Sequence, residues 1–148
     1  MYPIPSTPGL TLFILTSILP YPPTAHTDIT ALLNWSLADL ALKPNSTLIP
    51  DSLTPEQNPA YSTTWAGWKL DIEVGAENRN VYWGNATDAI EGYKGWTMGG
   101  GRGGAQPPPQ PYGGEARVQL WFESVSTVCY FYVRRTTRTE AGIYEARR

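Results

Sequence analysis

Leu10-Thr11-Leu12-Phe13-Ile14-Leu15-Thr16-Ser17-Ile18-Leu19 is an apolar run set between two groups of prolines, Pro3, Pro5 and Pro8 before it and Pro20, Pro22 and Pro23 after it. No Asp, Glu, Lys or Arg occurs before Asp28. An uncharged run of this kind has to be covered, because apolar surface left in water is unfavourable. What covers it decides the fold.

A membrane helix is excluded by length: ten residues rise about 15 Å, half of the roughly 30 Å hydrocarbon core of a bilayer. The run has the length of a secretory h-region. Against that, the nine residues before it hold no Lys or Arg and four of them are Pro or Gly, unlike a charged n-region. Two strand readings remain. Flanking prolines mark where ladder hydrogen bonding stops. Leu10, Leu12, Ile14 and Ile18 point one way while Phe13, Leu15 and Leu19 point the other, so both faces ask for cover. Such a strand belongs either to the protein's own sheet or to a sheet in a neighbouring copy. The proline-rich leader is polyproline-like and loses little entropy on ordering, which favours the lent strand. Leu10, Leu12, Phe13, Ile14, Leu15, Ile18 and Leu19 are then the interface residues. Residues 1–27 form an extended apolar arm, and residues 28–148 a single β-domain.

The whole chain, 148 residues, is long enough for one proper core. Its net charge of −2 leaves no electrostatic footprint for nucleic acid. The basic residues near the end, Arg134, Arg135, Arg138, Arg147 and Arg148, are interleaved with Glu140 and Glu145, the pattern of a solvated edge. A single cysteine, Cys129, forbids an intrachain disulfide or a cysteine-based zinc cluster. It reads as a small hydrophobe in a strand.

Thr27-Asp28 reads as a helix N-cap, with Ile29, Leu32, Leu33, Leu37 and Leu40 at helical spacing and Lys43-Pro44 as the stop. The spacing predicts a helix over 29–42, the one long helix of the chain. Prolines and asparagines make 44–60 a loop. Trp68, Leu70, Ile72 and Val74 alternate with Lys69, Asp71 and Glu73, which predicts a strand. Turn chemistry over 75–80 and the return Val81-Tyr82-Trp83 suggest a hairpin. One short helical turn from Thr87 or Asp88 to Glu91 is expected to end at Gly92 and Gly95. The segment Gly99–Gly114 is rich in Gly and Pro and reads as a surface loop. Strands are predicted at Arg117–Glu123 and Thr127–Arg134, the second apolar or aromatic on both faces and therefore central. A closing strand is expected around Ile143. The fold class is mainly β: an antiparallel β-sandwich or small barrel, jelly-roll-like, with one helix and the apolar arm.

The chain is poor in catalytic chemistry. His26 is the only histidine, so no His-based metal site and no convincing triad with Cys129 can be built. Asp71 and Glu73 share one face of a strand and read as solvated side chains, although a glycosidase pair across strands would also use carboxylates. The glycine-rich loop around Arg102 lacks the Gly-Lys-Ser/Thr ending of a phosphate loop. Trp65, Trp68, Tyr82, Trp83, Tyr93 and Trp96 lie close in sequence, and Trp83 and Trp96 are candidates for a sugar platform. Asn34-Trp35-Ser36, Asn45-Ser46-Thr47 and Asn85-Ala86-Thr87 are glycosylation sequons, which make Asn34, Asn45 and Asn85 candidate acceptors.

The expectation is a non-enzymatic structural subunit that assembles into a filament or shell, with residues 10–19 docking into a neighbouring protomer by strand addition. The alternative is a secreted lectin-like β-domain. Expected partners are other copies of the chain and N-linked glycans, with no nucleic acid, no membrane span, no cofactor and no metal. The expected setting is extracellular or a virion surface.

Overall fold

The computed structural model describes residues 2–3, 9–16, 22, 24–47, 49, 60–74, 81–98, 112–122 and 126–136. Strands β1 (Tyr2–Pro3) and β2 (Leu10–Thr16) lead into helix α1 (Ala25–Leu40). Strands β3 (Tyr61–Trp65) and β4 (Trp68–Glu73), helix α2 (Trp83–Thr97), and strands β5 (Ala116–Phe122) and β6 (Ser126–Arg135) follow. The chain is mainly β. All six described strands pair antiparallel in one sheet of order β1-β2-β5-β6-β4-β3. Five of them are five residues or longer, and β1 adds two residues at one edge. The expected second sheet or barrel closure is not met: among the described residues there is one open sheet, with β1 and β3 at its two edges.

Both helices lie on one face of that sheet. Leu10 and Leu12 of β2, Leu70 and Ile72 of β4, Val118 and Leu120 of β5, and Phe131 and Val133 of β6 are buried beneath them. The edge of Phe131 meets the Tyr93 ring of α2, with centroids 5.5 Å apart. Helix α1 contributes Ala25, Ile29, Leu32, Leu33 and Leu40 to the same core. The helices therefore do the work that a second sheet would do, covering an apolar sheet face.

The described part of the apolar run, residues 10–16, is paired inside its own chain. Every residue from Leu10 to Thr16 has a partner in β5, Leu12 opposite Leu120 and Ile14 opposite Val118. On the other side, Leu12 and Thr11 pair with Tyr2 and Pro3. The strand expected to be lent to a neighbour is thus the second strand of the protein's own sheet, and it joins the arm to the domain. The physical reason is complementarity at short range: Leu10, Leu12 and Ile14 complete the row of apolar residues that β5 and β6 present to the helices. Ile18 and Leu19 lie outside the described residues, as does the closing strand expected around Ile143.

Helix α1 starts one turn earlier than its sequence spacing suggests. Ala25 N–H donates to Pro22 O at 3.0 Å, and Asp28 N–H to Thr24 O at 3.2 Å. The extra turn buries Ala25 and leaves Asp28 in the first turn, where a negative charge suits the helix dipole. Helix α2 is a full helix where one turn was expected, and Tyr82-Trp83 begin it instead of forming a return strand. It runs through Gly84, Gly92 and Gly95 because Trp83, Ala86, Ala89, Ile90, Tyr93 and Trp96 form one buried face. That burial outweighs a glycine penalty of roughly 1 kcal/mol each. Gly84 has a local use as well, since a Cβ there would stand 3.1 Å from Asn45 Cβ.

Between β3 and β4 the chain turns in two residues, Ala66 (φ 52°) and Gly67 (φ 83°). Positive φ at both central positions makes the tight hairpin turn whose twist matches its strands.

Candidate functional site

Trp83 and Trp96, expected as a sugar platform, are core residues. Trp96 stacks on Tyr93 at 5.8 Å and packs on Tyr112 at 5.7 Å. Lys43 Nζ stands 4.7 Å from the centre of the Trp83 ring. Indoles spaced along α2 serve packing because the helix lies on the sheet, and neither is available as an exposed platform. Of the three sequons, Asn34 and Asn45 are exposed. Asn85 is half-buried and works structurally: its Oδ1 accepts from Tyr82 N–H at 2.9 Å, while Asn85 N–H donates to Tyr82 O at 2.9 Å. This reciprocal pair closes the first turn of α2.

The exposed aromatic surface lies at the β3 edge instead. Trp35 of α1 is 51% exposed and Trp65 of β3 is 46% exposed. Their rings stack with centroids 6.2 Å apart and planes inclined by 28°. Tyr61, at the other end of β3, donates its hydroxyl to Asp39 Oδ2 at 2.7 Å. Burial, then the bond to Asp39, then its negative charge push the Tyr61 phenol well above its ordinary range. These contacts tie the edge strand to α1 and fix its position. β3 carries no charged residue, no proline and, among the described residues, no further strand beyond it. Natural sheet edges are usually blunted by one of those devices. Because a two-residue hairpin closes on a hydrogen-bonded pair, bonded pairs recur at Trp65, Thr63 and Tyr61. The backbone groups of Ser62 and Thr64 therefore face outward.

A second cluster occupies the sheet face turned away from the helices. Lys69, Asp71 and Glu73 of β4, Tyr130, Tyr132 and Arg134 of β6, and Arg117 of β5 share this face by register. Asp71 (2% exposed), Glu73 (5%) and Arg134 (9%) are buried, which corrects the reading of the two carboxylates as solvated. Arg134 reaches diagonally to Asp71 Oδ2 at 3.0 Å, and Lys69 Nζ stands 3.7 Å from the same oxygen. The Arg134 guanidinium lies 4.4 Å from the centre of the Tyr132 ring. From the other side Arg117 approaches Tyr130 at 5.1 Å and Tyr132 at 5.8 Å. Burial, aided by the charge of Glu73, raises the Tyr132 phenol, and Arg117 and Arg134 oppose that shift. Asp71 Oδ1 and Arg134 Nε are buried with no hydrogen-bond partner.

The same face also carries the polar residues Thr11, Ser62, Thr64 and Gln119 by register, together with exposed apolar ones. Phe13 and Leu15 are exposed, and Phe13 leans on Trp121 with ring centroids 6.2 Å apart. So the run 10–16 buries one face and shows the other. His26 sits in the first turn of α1, and the described residues hold no group of three or more His, Cys, Asp or Glu placed to bind a metal ion. No helix among the described residues is long and apolar enough to cross a membrane. Comparison with protein-family models, with curated proteins and with solved structures finds no match. Residue chemistry alone therefore carries the functional reading.

Proposed function

We propose that the chain is a non-enzymatic, self-associating subunit, and that its docking element is β3, paired antiparallel with β3 of a second copy. The observation that carries this reading is the self-complementarity of Tyr61-Ser62-Thr63-Thr64-Trp65. A two-fold axis through Thr63 sets Tyr61 against the partner's Trp65, Ser62 against the partner's Thr64, and Thr63 against the partner's Thr63. Aromatic pairs and Thr pairs are favourable across strands, and no like charges meet. The outward backbone groups of Ser62 and Thr64 would bond in the ladder so formed, as in strand-addition interfaces. Trp35 and Trp65 stand at the same edge, and association would withdraw their exposed surface from water.

This contact is isologous and closes as a dimer. Growth into a filament by the same mode would need a second open edge, and β1 carries Pro3, which has no N–H to extend a ladder. The sequence expectation of assembly by strand addition is kept, with β3 in place of the N-terminal strand. An extracellular setting belongs to the same reading, supported by the exposed sequon asparagines Asn34 and Asn45.

Glycan binding is the second reading, and the stacked indoles of Trp35 and Trp65 are the surface that favours it. Sedimentation of the purified chain over a range of concentrations separates the two. The dimer reading expects the mass to rise to twice that of the chain. Thr64→Pro removes an outward N–H and none that faces β4, so it is expected to hold the protein monomeric with its melting temperature nearly unchanged. A mass that stays single at every concentration rejects self-association. Binding of that monomer to immobilised glycans, lost in Trp35→Ala, would install the second reading.

A further inference from the structure

We infer that the mouth of the cluster on the helix-free sheet face is a binding site for a small organic carboxylate, a property beyond self-association and independent of it. At the end of the sheet where β2 finishes and β5 begins, an open depression of about 240 Å³ is lined by Leu15, Thr16, Glu115, Arg117, Tyr132 and Arg134. Clefts for drug-sized ligands run to about 300–1,000 Å³, so the ligand that fits here is small.

The polar groups of the wall select its charge. Arg134 is buried, spends one terminal nitrogen on Asp71, and has its Nε without a hydrogen-bond partner. That nitrogen is sealed from solvent, so Arg134 contributes positive charge behind the site and Arg117 the donors a ligand meets. Arg117 is exposed, is held over Tyr130 and Tyr132, and has no carboxylate in ion-pair range among the described residues. Among the described residues, two arginines thus line this depression with one carboxylate residue, Glu115. Glu115 is engaged elsewhere, since its Oε2 accepts from Arg135 N–H at 3.1 Å. Guanidinium donors match a carboxylate in shape and bind it through charge-assisted bonds. Leu15, an exposed apolar side chain, gives the site a surface that distinguishes an acid with a short carbon chain from a bare inorganic anion.

Amide chemical-shift titration of the full chain with butyrate, acetate and inorganic phosphate tests this. Butyrate is expected to shift amides of Ala116, Arg117, Tyr132 and Arg134 in a saturable way and to bind more tightly than acetate or phosphate. Arg117→Met, which leaves the buried Asp71–Arg134 pair in place, is expected to weaken butyrate by about tenfold or more, and Arg117→Lys by less. A melting curve for Arg117→Met matching that of the parent chain separates loss of binding from loss of fold. The inference is overturned by shifts scattered over the surface without saturation, by an unchanged affinity in Arg117→Met, or by phosphate binding more tightly than butyrate.

Discussion

Tyr61 on the edge strand donates its phenol to Asp39 Oδ2 on α1 at 2.7 Å, a bond between residues 22 positions apart. It fastens the outermost strand to the helix layer and gives that edge a pH dependence of known sign. The folded-state pKa of Tyr61 is raised, first by burial and then by Asp39. The folded chain therefore holds this proton more tightly than the unfolded one. The contribution is complete below the unfolded value, about 10, and is lost as pH climbs through the folded value. Tyr61→Phe is expected to cost about 1 kcal/mol near neutral pH, a gap that narrows above about pH 10. Urea unfolding of both proteins across that range measures it, and a gap independent of pH contradicts the assignment.

The pair of Asp71 and Arg134 is nearly sealed from solvent, with side chains 3% and 11% exposed. Removing one member leaves a buried charge, so Arg134→Leu is expected to cost roughly 3 kcal/mol or more. Lys69, 3.7 Å from Asp71 Oδ2 and 31% exposed, offsets part of that loss. Replacing both residues by Leu is expected to cost less than the Arg134 change alone. Equilibrium unfolding of the two single variants and the double one settles this, and additive losses would show that the two charges do not depend on each other.

Gly113 lies where the segment before β5 crosses the start of α1. A Cβ there would stand 2.5 Å from His26 N and 3.0 Å from Ala25 C. Both contacts are backbone, so neither neighbour can swing aside. Gly113→Ala is expected to destabilise by about 1–3 kcal/mol. Gly67→Ala meets nothing within 4 Å but sits at φ +83°, and its cost of about 1–2 kcal/mol is one of backbone conformation alone. Thermal melts of the two variants, with β3–β4 hairpin amides followed by exchange, should show loosening of the turn only in the second.

Much of the fold was legible because periodicity survives in the sequence. Trp68, Leu70 and Ile72 alternate and do form β4; the strand at 127–134, apolar or aromatic on both faces up to Val133, does lie mid-sheet between β4 and β5. Helix α2 was hidden by Gly84, Gly92 and Gly95, although Trp83, Ala86, Ile90, Tyr93 and Thr97 already stood at helical spacing. β3 was hidden because an edge strand needs no apolar contrast. Its signals were the β-branched pair Thr63-Thr64 and a two-residue gap ending in glycine before Trp68. The burial of Asp71 and Glu73 could not be read locally, since Arg134 is 63 residues distant in the chain. For the same reason Trp83 and Trp96 looked like a surface and Trp35 did not.

The most direct measurement is a register-specific cross-link at the proposed two-fold axis. Strands paired about Thr63 bring the two copies of that residue opposite each other as a non-hydrogen-bonded pair, with Cα atoms about 4.5 Å apart, within the range a disulfide spans. In a Cys129→Ser background, Thr63→Cys is expected to oxidise to a disulfide-linked dimer under mild conditions. Ser62→Cys, which faces the partner's Thr64 instead of its own counterpart, is expected to lag far behind. Equal cross-linking of the two variants, or a Thr63→Cys chain that stays monomeric after oxidation, would contradict the pairing of β3 with itself.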